Sequence, residues 1–332
     1  MSDDADNDAQ VALFMEFVEK YDIELEDEVR TLDALEEIEE LDLSEKDLTE
    51  LPEKLGRVLP KNLKTLALEK NSLKQLPDTI GELHQITELY VRENKLVGLP
   101  DGIGDMRKLD CLYLEDNKIT ADGIPDSIAR LASSLTGLCL HRNRLSVLPS
   151  SICDLTKLEE LYLNENRLEE LPEDLGQLVN LRELDVLGNQ LRSLPSSFVN
   201  LTKLEILHAE DNKLAKLPKG FGGLVSLRKV YLHNNKLTKL HSSLGRCKKL
   251  EVLNVEDNQL AKVAKRIGEL PKLKHLLLAN NNITELPFNP LEKSPGLRRL
   301  TLSGNQLPSE VLELEHKVAL NQVTEEEEED AN

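Results

Sequence analysis

The chain has 332 residues with no tryptophan, 3% aromatic and 31% charged residues, and a net charge of −20, which excludes a large core built on aromatic packing. The charge sits at the ends: residues 1–40 hold 16 acids and two bases, residues 321–332 hold six acids and no base, and residues 41–320 hold 39 of each sign, leaving no general basic field for a nucleic-acid backbone. No apolar run approaches the roughly 18 residues that span a bilayer, the first residues lack a secretory pattern, and four cysteines are scattered singly, so a cytoplasmic protein without membrane insertion or a disulfide framework is expected.

At the N-terminal end, Val11, Phe14, Val18 and Tyr21 recur at helical spacing. They predict a helix within an acidic capping segment, residues 1–37, whose apolar stripe closes the end of a core.

From Ile38 the chain repeats itself. The stretch from Leu158 to Pro172 returns one period later from Leu181 to Pro195, and twelve copies of L-x-x-L-x-L-x-x-N-x-L begin at Ile38, Leu63, Ile86, Leu109, Leu135, Leu158, Leu181, Leu204, Leu227, Leu250, Leu273 and Leu297, mostly 23 residues apart. The alternation Leu-x-Leu predicts one short strand per copy, with the two leucines inward and the residue between them facing solvent. One such strand buries too little alone, so the copies must stack. Position nine is Asn in eleven copies, from Asn71 to Asn305, with Lys46 in the first. An inward amide both donates and accepts, which predicts an asparagine ladder where the chain leaves each strand. The Leu-Pro pairs that follow, such as Leu76-Pro77 and Leu171-Pro172, predict a short helical turn on the opposite side. His241 and Ala264 replace that proline and the fourth copy inserts Thr120 to Ile124, so irregular turns are expected there.

Past the last copy, Val311, Leu314 and Val318 predict a closing helix within residues 312–332. Glu325 to Asp330 is a like-charge run expected to be disordered.

The repeat length, the consensus and the Leu-Pro turn resemble the intracellular leucine-rich repeat proteins with 23-residue Leu-Pro repeats. Similar chains occur in the Ras-group plant proteins, in the repeat domains of erbin and scribble, and as free-standing bacterial members. The resemblance covers residues 38–311. It implies an α/β solenoid, a right-handed horseshoe of about twelve repeats with a parallel sheet on the concave face and short helical or extended segments on the convex one. It also implies a monomeric, non-enzymatic scaffold without cofactor that binds a partner protein, in settings that include small-GTPase signalling. No kinase, GTPase or PDZ module accompanies the repeats.

The residue between the two strand leucines is Tyr90, Tyr113, Tyr162 and Tyr231 in four copies, placing four of the five tyrosines in one solvent-facing column. Tyrosine offers contact area at low entropic cost, although it also favours strands for structural reasons. Positions seven and eight add Arg92, Glu115, His141, Arg142 and His233, and across all copies hold ten acids against three bases. Position ten carries the reverse, Lys95, Lys118, Arg144, Arg167, Lys213 and Lys236, so acids and bases in neighbouring columns are expected to pair. Early copies begin with Glu39, Glu40 and Glu88 and late ones with Arg228, Lys229, Lys274, His275, Arg298 and Arg299, a gradient able to orient a polar ligand. The expected protein-binding face comprises Tyr90, Arg92, Tyr113, Glu115, His141, Arg142, Tyr162, Tyr231 and His233.

Cys139 and His141 flank one core leucine, the minimum for a thiol nucleophile, with Cys111, Tyr113 and Glu115 on the preceding strand. No orienting third group or phosphate-binding fingerprint accompanies them, and Gly102-Ile-Gly104 reads as a turn. An enzyme or metal site is therefore a minor alternative. A further one is an acidic chaperone-like binder of basic proteins such as histones, which would require the acidic tail.

Overall fold

The computed structural model describes residues 2–23 and 31–329, with side chains described from residue 9 to residue 320. The chain forms two compact units, Met1–Tyr162 and Leu163–Asn332. Among the described residues no helix is long and apolar enough to cross a membrane.

In the first unit, helix α1 (Ser2–Lys20) and the short α2 (Leu32–Glu36) precede six strands, β1 (Glu40–Asp42), β2 (Thr65–Ala67), β3 (Glu88–Tyr90), β4 (Cys111–Tyr113), β5 (Gly137–Cys139) and β6 (Glu160–Tyr162). All pair in parallel and in chain order, with Leu41, Leu66, Leu89, Leu112, Leu138 and Leu161 in register. Each strand buries its central leucine, and of the residues on either side only Cys139 is also buried. The second unit repeats the scheme with β7 (Glu183–Asp185), β8 (Ile206–His208), β9 (Lys229–Tyr231), β10 (Val252–Asn254), β11 (His275–Leu277) and β12 (Arg299–Thr301). Both units follow the α/β solenoid scheme expected from the sequence, with one strand and one return per repeat.

The asparagine ladder is present in both units. Asn94 is typical: its Oδ1 accepts from the Leu73 amide at 3.0 Å and its Nδ2 donates to the Leu68 carbonyl at 2.8 Å, both in the preceding repeat, and to its own Val91 carbonyl at 3.2 Å. Lys46, the exception in the first repeat, donates its backbone amide to Asn71 and its ammonium to the Asp22 carbonyl, tying the repeat to the chain after α1.

One regularity escaped the consensus. In all twelve repeats the residue before the ladder position has positive φ, between 51° and 71°. Seven of these are Asp, Asn or Gly: Asp116, Gly188, Asp211, Asn234, Asp257, Asn280 and Gly304. Those types tolerate the left-handed region best. Gly188 shows the cost in isolation, because a Cβ there meets nothing closer than 3.6 Å while φ is +65°. Gly188→Ala is expected to cost about 1 kcal/mol; an unchanged midpoint in denaturant titration would contradict this.

On the opposite side the returns are mostly 3-10 turns, such as Asp78–Glu82, Ser150–Asp154 and Glu173–Gln177, each preceded by the Leu-Pro proline in extended conformation. The irregularity expected at His241 and Ala264 is absent. Both start ordinary 3-10 turns, and the His241 ring nitrogen replaces what the proline gives in rigidity by accepting from the Ser243 amide at 3.1 Å. The fourth repeat does differ, with two turns, Ala121–Gly123 and Asp126–Leu131.

At the N-terminal end Val11, Phe14 and Val18 are buried, joined by Phe17, which the stripe omitted. Tyr21 lies just past α1 with its ring 4.7 Å from that of Phe17. At the other end, helix α3 (Ser309–Glu329) buries Val318, and its Glu315 accepts from the Leu302 amide at 3.1 Å beside β12. The acidic run expected to be disordered continues α3 through Glu329, while Asp330 lies outside the described residues. Glutamate is a good helix former, and extending an existing helix avoids the cost of nucleation.

Candidate binding face of the strands

The first unit brings most of the expected residues onto one surface. Tyr90 and Tyr113, on adjacent strands, stack with centroids 4.5 Å apart and planes 3° from parallel. The Tyr90 hydroxyl donates to Glu88 at 2.6 Å, and this bond, with burial, pushes its pKa up to about 12. Cys139 lies between Tyr113 and Tyr162 in the strand register, so the stack stops at two rings.

Two residues beyond the tyrosines, the Arg92 guanidinium grips Glu69 with Nε–Oε1 at 2.6 Å and Nη2–Oε2 at 3.0 Å. It stands 4.0 Å from Glu115 Oε1. Glu115 is only 8% exposed, its Oε2 has no hydrogen-bond partner, and burial raises its pKa. The neighbouring His141 also has a buried Nδ1 without a partner. Arg142 reaches Asp116 at 3.8 Å, and both occupy the left-handed column.

In the second unit Tyr231 stacks on His208, with centroids 4.6 Å apart and planes at 12°. His208 Nδ1 lies 3.0 Å from Oε1 of the buried Glu210, which raises the histidine pKa, while Glu210 Oε2 has no partner. His233 is 3.3 Å from the Asn254 amide. Sequence reasoning placed His208 and Glu210 in exposed columns but did not select them; the signal was a His and a Glu two residues apart on one strand, beside Tyr231.

The His208 pair gives a pH dependence. An unfolded histidine titrates near 6.5, and the folded value is raised, so the contribution to stability is complete below the unfolded value and fades as pH rises through the folded one. The stability lost in His208→Gln should therefore be larger at pH 5.5 than at pH 8.5 when both are measured by urea unfolding. Equal losses would contradict the pairing.

Pairing also runs along each column from one repeat to the next. Lys70 bonds Glu45 at 2.6 Å and Asn280 bonds Asp257 at 2.9 Å, while the basic column turns to polar neighbours, Lys95 to Ser72 at 3.0 Å and Lys213 to Gln190 at 2.9 Å. Residues at one position are a single strand spacing apart, which long side chains span directly. The basic end of the gradient is partly neutralised: Arg228 and Lys274 share Glu251 at 2.9 and 3.2 Å and hold it below the usual carboxylate range.

Burial pushes the Cys139 thiol up to about 12, so it is held as the neutral thiol beside His141. Among the described residues no group of three or more His, Cys, Asp or Glu side chains is placed to hold a metal ion. The four cysteines are free thiols.

Two family profiles match the chain: a leucine-rich repeat region over residues 161–264 and a leucine rich repeat over residues 61–119 and 248–307. None of the curated protein sequences compared gives a significant match. Among solved structures, a leucine-rich repeat protein of Leptospira interrogans is 28% identical, with 89% of this chain and 92% of that chain covered and a TM-score of 0.58. A plant peptide hormone receptor in complex with RGF2 is 31% identical at a TM-score of 0.72, over 82% of this chain but 45% of the receptor chain. An internalin of Listeria monocytogenes, 21% identical with a TM-score of 0.67 and 91% of each chain covered, shares the fold.

Proposed function

Since this chain belongs to the leucine-rich repeat family, we propose that it is a non-enzymatic scaffold that receives a partner protein on the exposed face of its strands. The observation that carries the reading is the stacked Tyr90–Tyr113 pair, two half-buried rings held side by side above a rigid parallel sheet. Rings fixed before binding lose little entropy on contact, which is why tyrosines concentrate at binding hot spots. In the first unit Arg92, Glu115, His141, Arg142 and Tyr162 complete the face; in the second, Tyr231 and His233 do so. The plant receptor that this chain resembles was solved with RGF2 bound, which supports a polypeptide ligand. A neutral Cys139 thiol opposes a nucleophilic role, and four free thiols fit the reducing cytoplasm. A monomeric state and a small-GTPase signalling setting stand on the family resemblance alone.

The test is affinity purification from source cells with the wild type beside a Tyr90→Ala, Tyr113→Ala, Tyr162→Ala variant whose circular dichroism matches it. A partner kept by the wild type and lost by the variant supports the face; equal retention refutes it. Deleting residues 321–332 should leave retention unchanged, whereas a histone-type binder acting through its acidic tail would lose its partner.

A further inference from the structure

Glu115 and Glu210 occupy the same repeat position, seven, one in each unit, and share an unusual environment. Each lies two residues beyond a ring that is stacked on a ring of an adjacent strand, Tyr113 on Tyr90 and His208 on Tyr231. Each is more than nine-tenths buried, at 8% and 7% exposure, and each has an Oε2 with no hydrogen-bond partner. A carboxylate oxygen withdrawn from water and left without a donor is costly, and folded proteins rarely leave one so.

The nearby charged donors are committed elsewhere, and the His141 ring beside Glu115, whose Nδ1 is itself buried without a partner, does not bond Oε2. Arg92 spends its short contacts on Glu69 and reaches only the other oxygen of Glu115, at 4.0 Å. His208 engages Oε1 of Glu210, leaving Oε2. Acids dominate positions seven and eight, so the surrounding field favours a cation. A side chain that brings several donors and a charge would satisfy the orphaned oxygen and lie against the adjacent rings.

Resting on the reading of the strand face as the binding surface, we propose that each unit takes an extended basic polypeptide segment, with Glu115 in the first unit and Glu210 in the second each binding, through Oε2, an arginine or lysine side chain of the segment on its own unit. The stacked rings supply the apolar floor and the carboxylates supply charge selection. This explains why two buried carboxylates are kept at a position where most repeats place exposed or neutral residues.

The experiment uses the full chain and a fluorescent (Ser-Arg)5 peptide at about 150 mM salt, where weak surface attraction is screened, with its uncharged (Ser-citrulline)5 counterpart. The double variant Glu115→Gln, Glu210→Gln should bind (Ser-Arg)5 at least about tenfold more weakly than the wild type, as expected for loss of a charge-assisted hydrogen bond. A control removing two exposed charges, Glu93→Gln with Asp257→Asn, should change affinity less than threefold, and (Ser-citrulline)5 should bind the wild type weakly. Equal losses in both double variants would reduce the effect to general charge and overturn the proposal, as would no binding by the wild type. If the glutamine variant binds as the wild type does while the triple tyrosine variant loses the peptide, the carboxylate assignment fails and the strand-face reading stands. If both variants bind fully, both fail. The glutamine variant should also unfold at the same temperature as the wild type or higher; a lower midpoint with unchanged affinity assigns the carboxylates to the fold and overturns their binding role.

Discussion

Replacing Asn117 by leucine should destabilise the protein by about 3–5 kcal/mol, although leucine is of similar volume and more apolar. Asn117 Oδ1 accepts from the Leu96 amide at 2.9 Å, and its Nδ2 donates to the Val91 carbonyl at 2.9 Å and the Leu114 carbonyl at 3.1 Å. The leucine leaves these backbone groups in place, buried and unsatisfied. Each orphan costs about 1–3 kcal/mol, more than the added apolar contact returns. Because neighbouring repeats share the ladder, the loss should appear in hydrogen exchange as lowered protection at Leu96, whose amide Asn117 accepts, before distant repeats respond. A loss below about 1 kcal/mol in guanidinium unfolding would show that the amide is not what closes the strand end.

Gly222→Val should be at least as damaging, with an expected cost above about 4 kcal/mol. A Cβ at Gly222 falls 1.8 Å from the Ser243 carbonyl oxygen and 2.5 Å from its carbon. The obstacle is backbone, which cannot turn aside as a flexible side chain can. The 3-10 turns Phe221–Gly223 and Ser242–Arg246 must separate, opening the space between buried Phe221 and Leu244. Gly223, next in the chain, is the control: a Cβ there touches only the Val199 carbonyl oxygen at 3.5 Å. Gly223→Ala is expected to change stability by less than about 1 kcal/mol. If the two substitutions cost the same, close approach of the turns is not the reason for Gly222.

These two residues mark how far the sequence could be read. Asn117 announces itself, because a polar residue recurring at a fixed step inside a leucine pattern must have an inward partner, and only backbone recurs at the same step. Gly222 does not, because a glycine needed for contact between repeats looks like one that merely bends the chain; Gly102, read as a turn residue, also approaches the preceding turn, with its Cβ position 2.0 Å from the Asp78 carbonyl oxygen. Position eight was misread for a related reason. Its acids were taken as partners for the neighbouring basic column, whereas Asp116, Asp211 and Asp257 also answer to a left-handed backbone that composition alone does not reveal. On the binding face, periodicity placed Tyr90 beside Tyr113 correctly but was blind to which carboxylates are buried. Glu93 and Glu115 are one repeat and one position apart, yet the first faces solvent and the second is enclosed, a difference set by neighbouring side chains.

The asparagine ladder has a direction. Asn94 reaches back to the repeat of Leu68 and Leu73, and Asn117 in turn to that of Val91 and Leu96, so these strand ends are completed by an amide later in the chain. A repeat is therefore complete only in the presence of its successor, whose amide closes its strand end. A chain halted among these repeats carries a single unfinished strand end at its last strand.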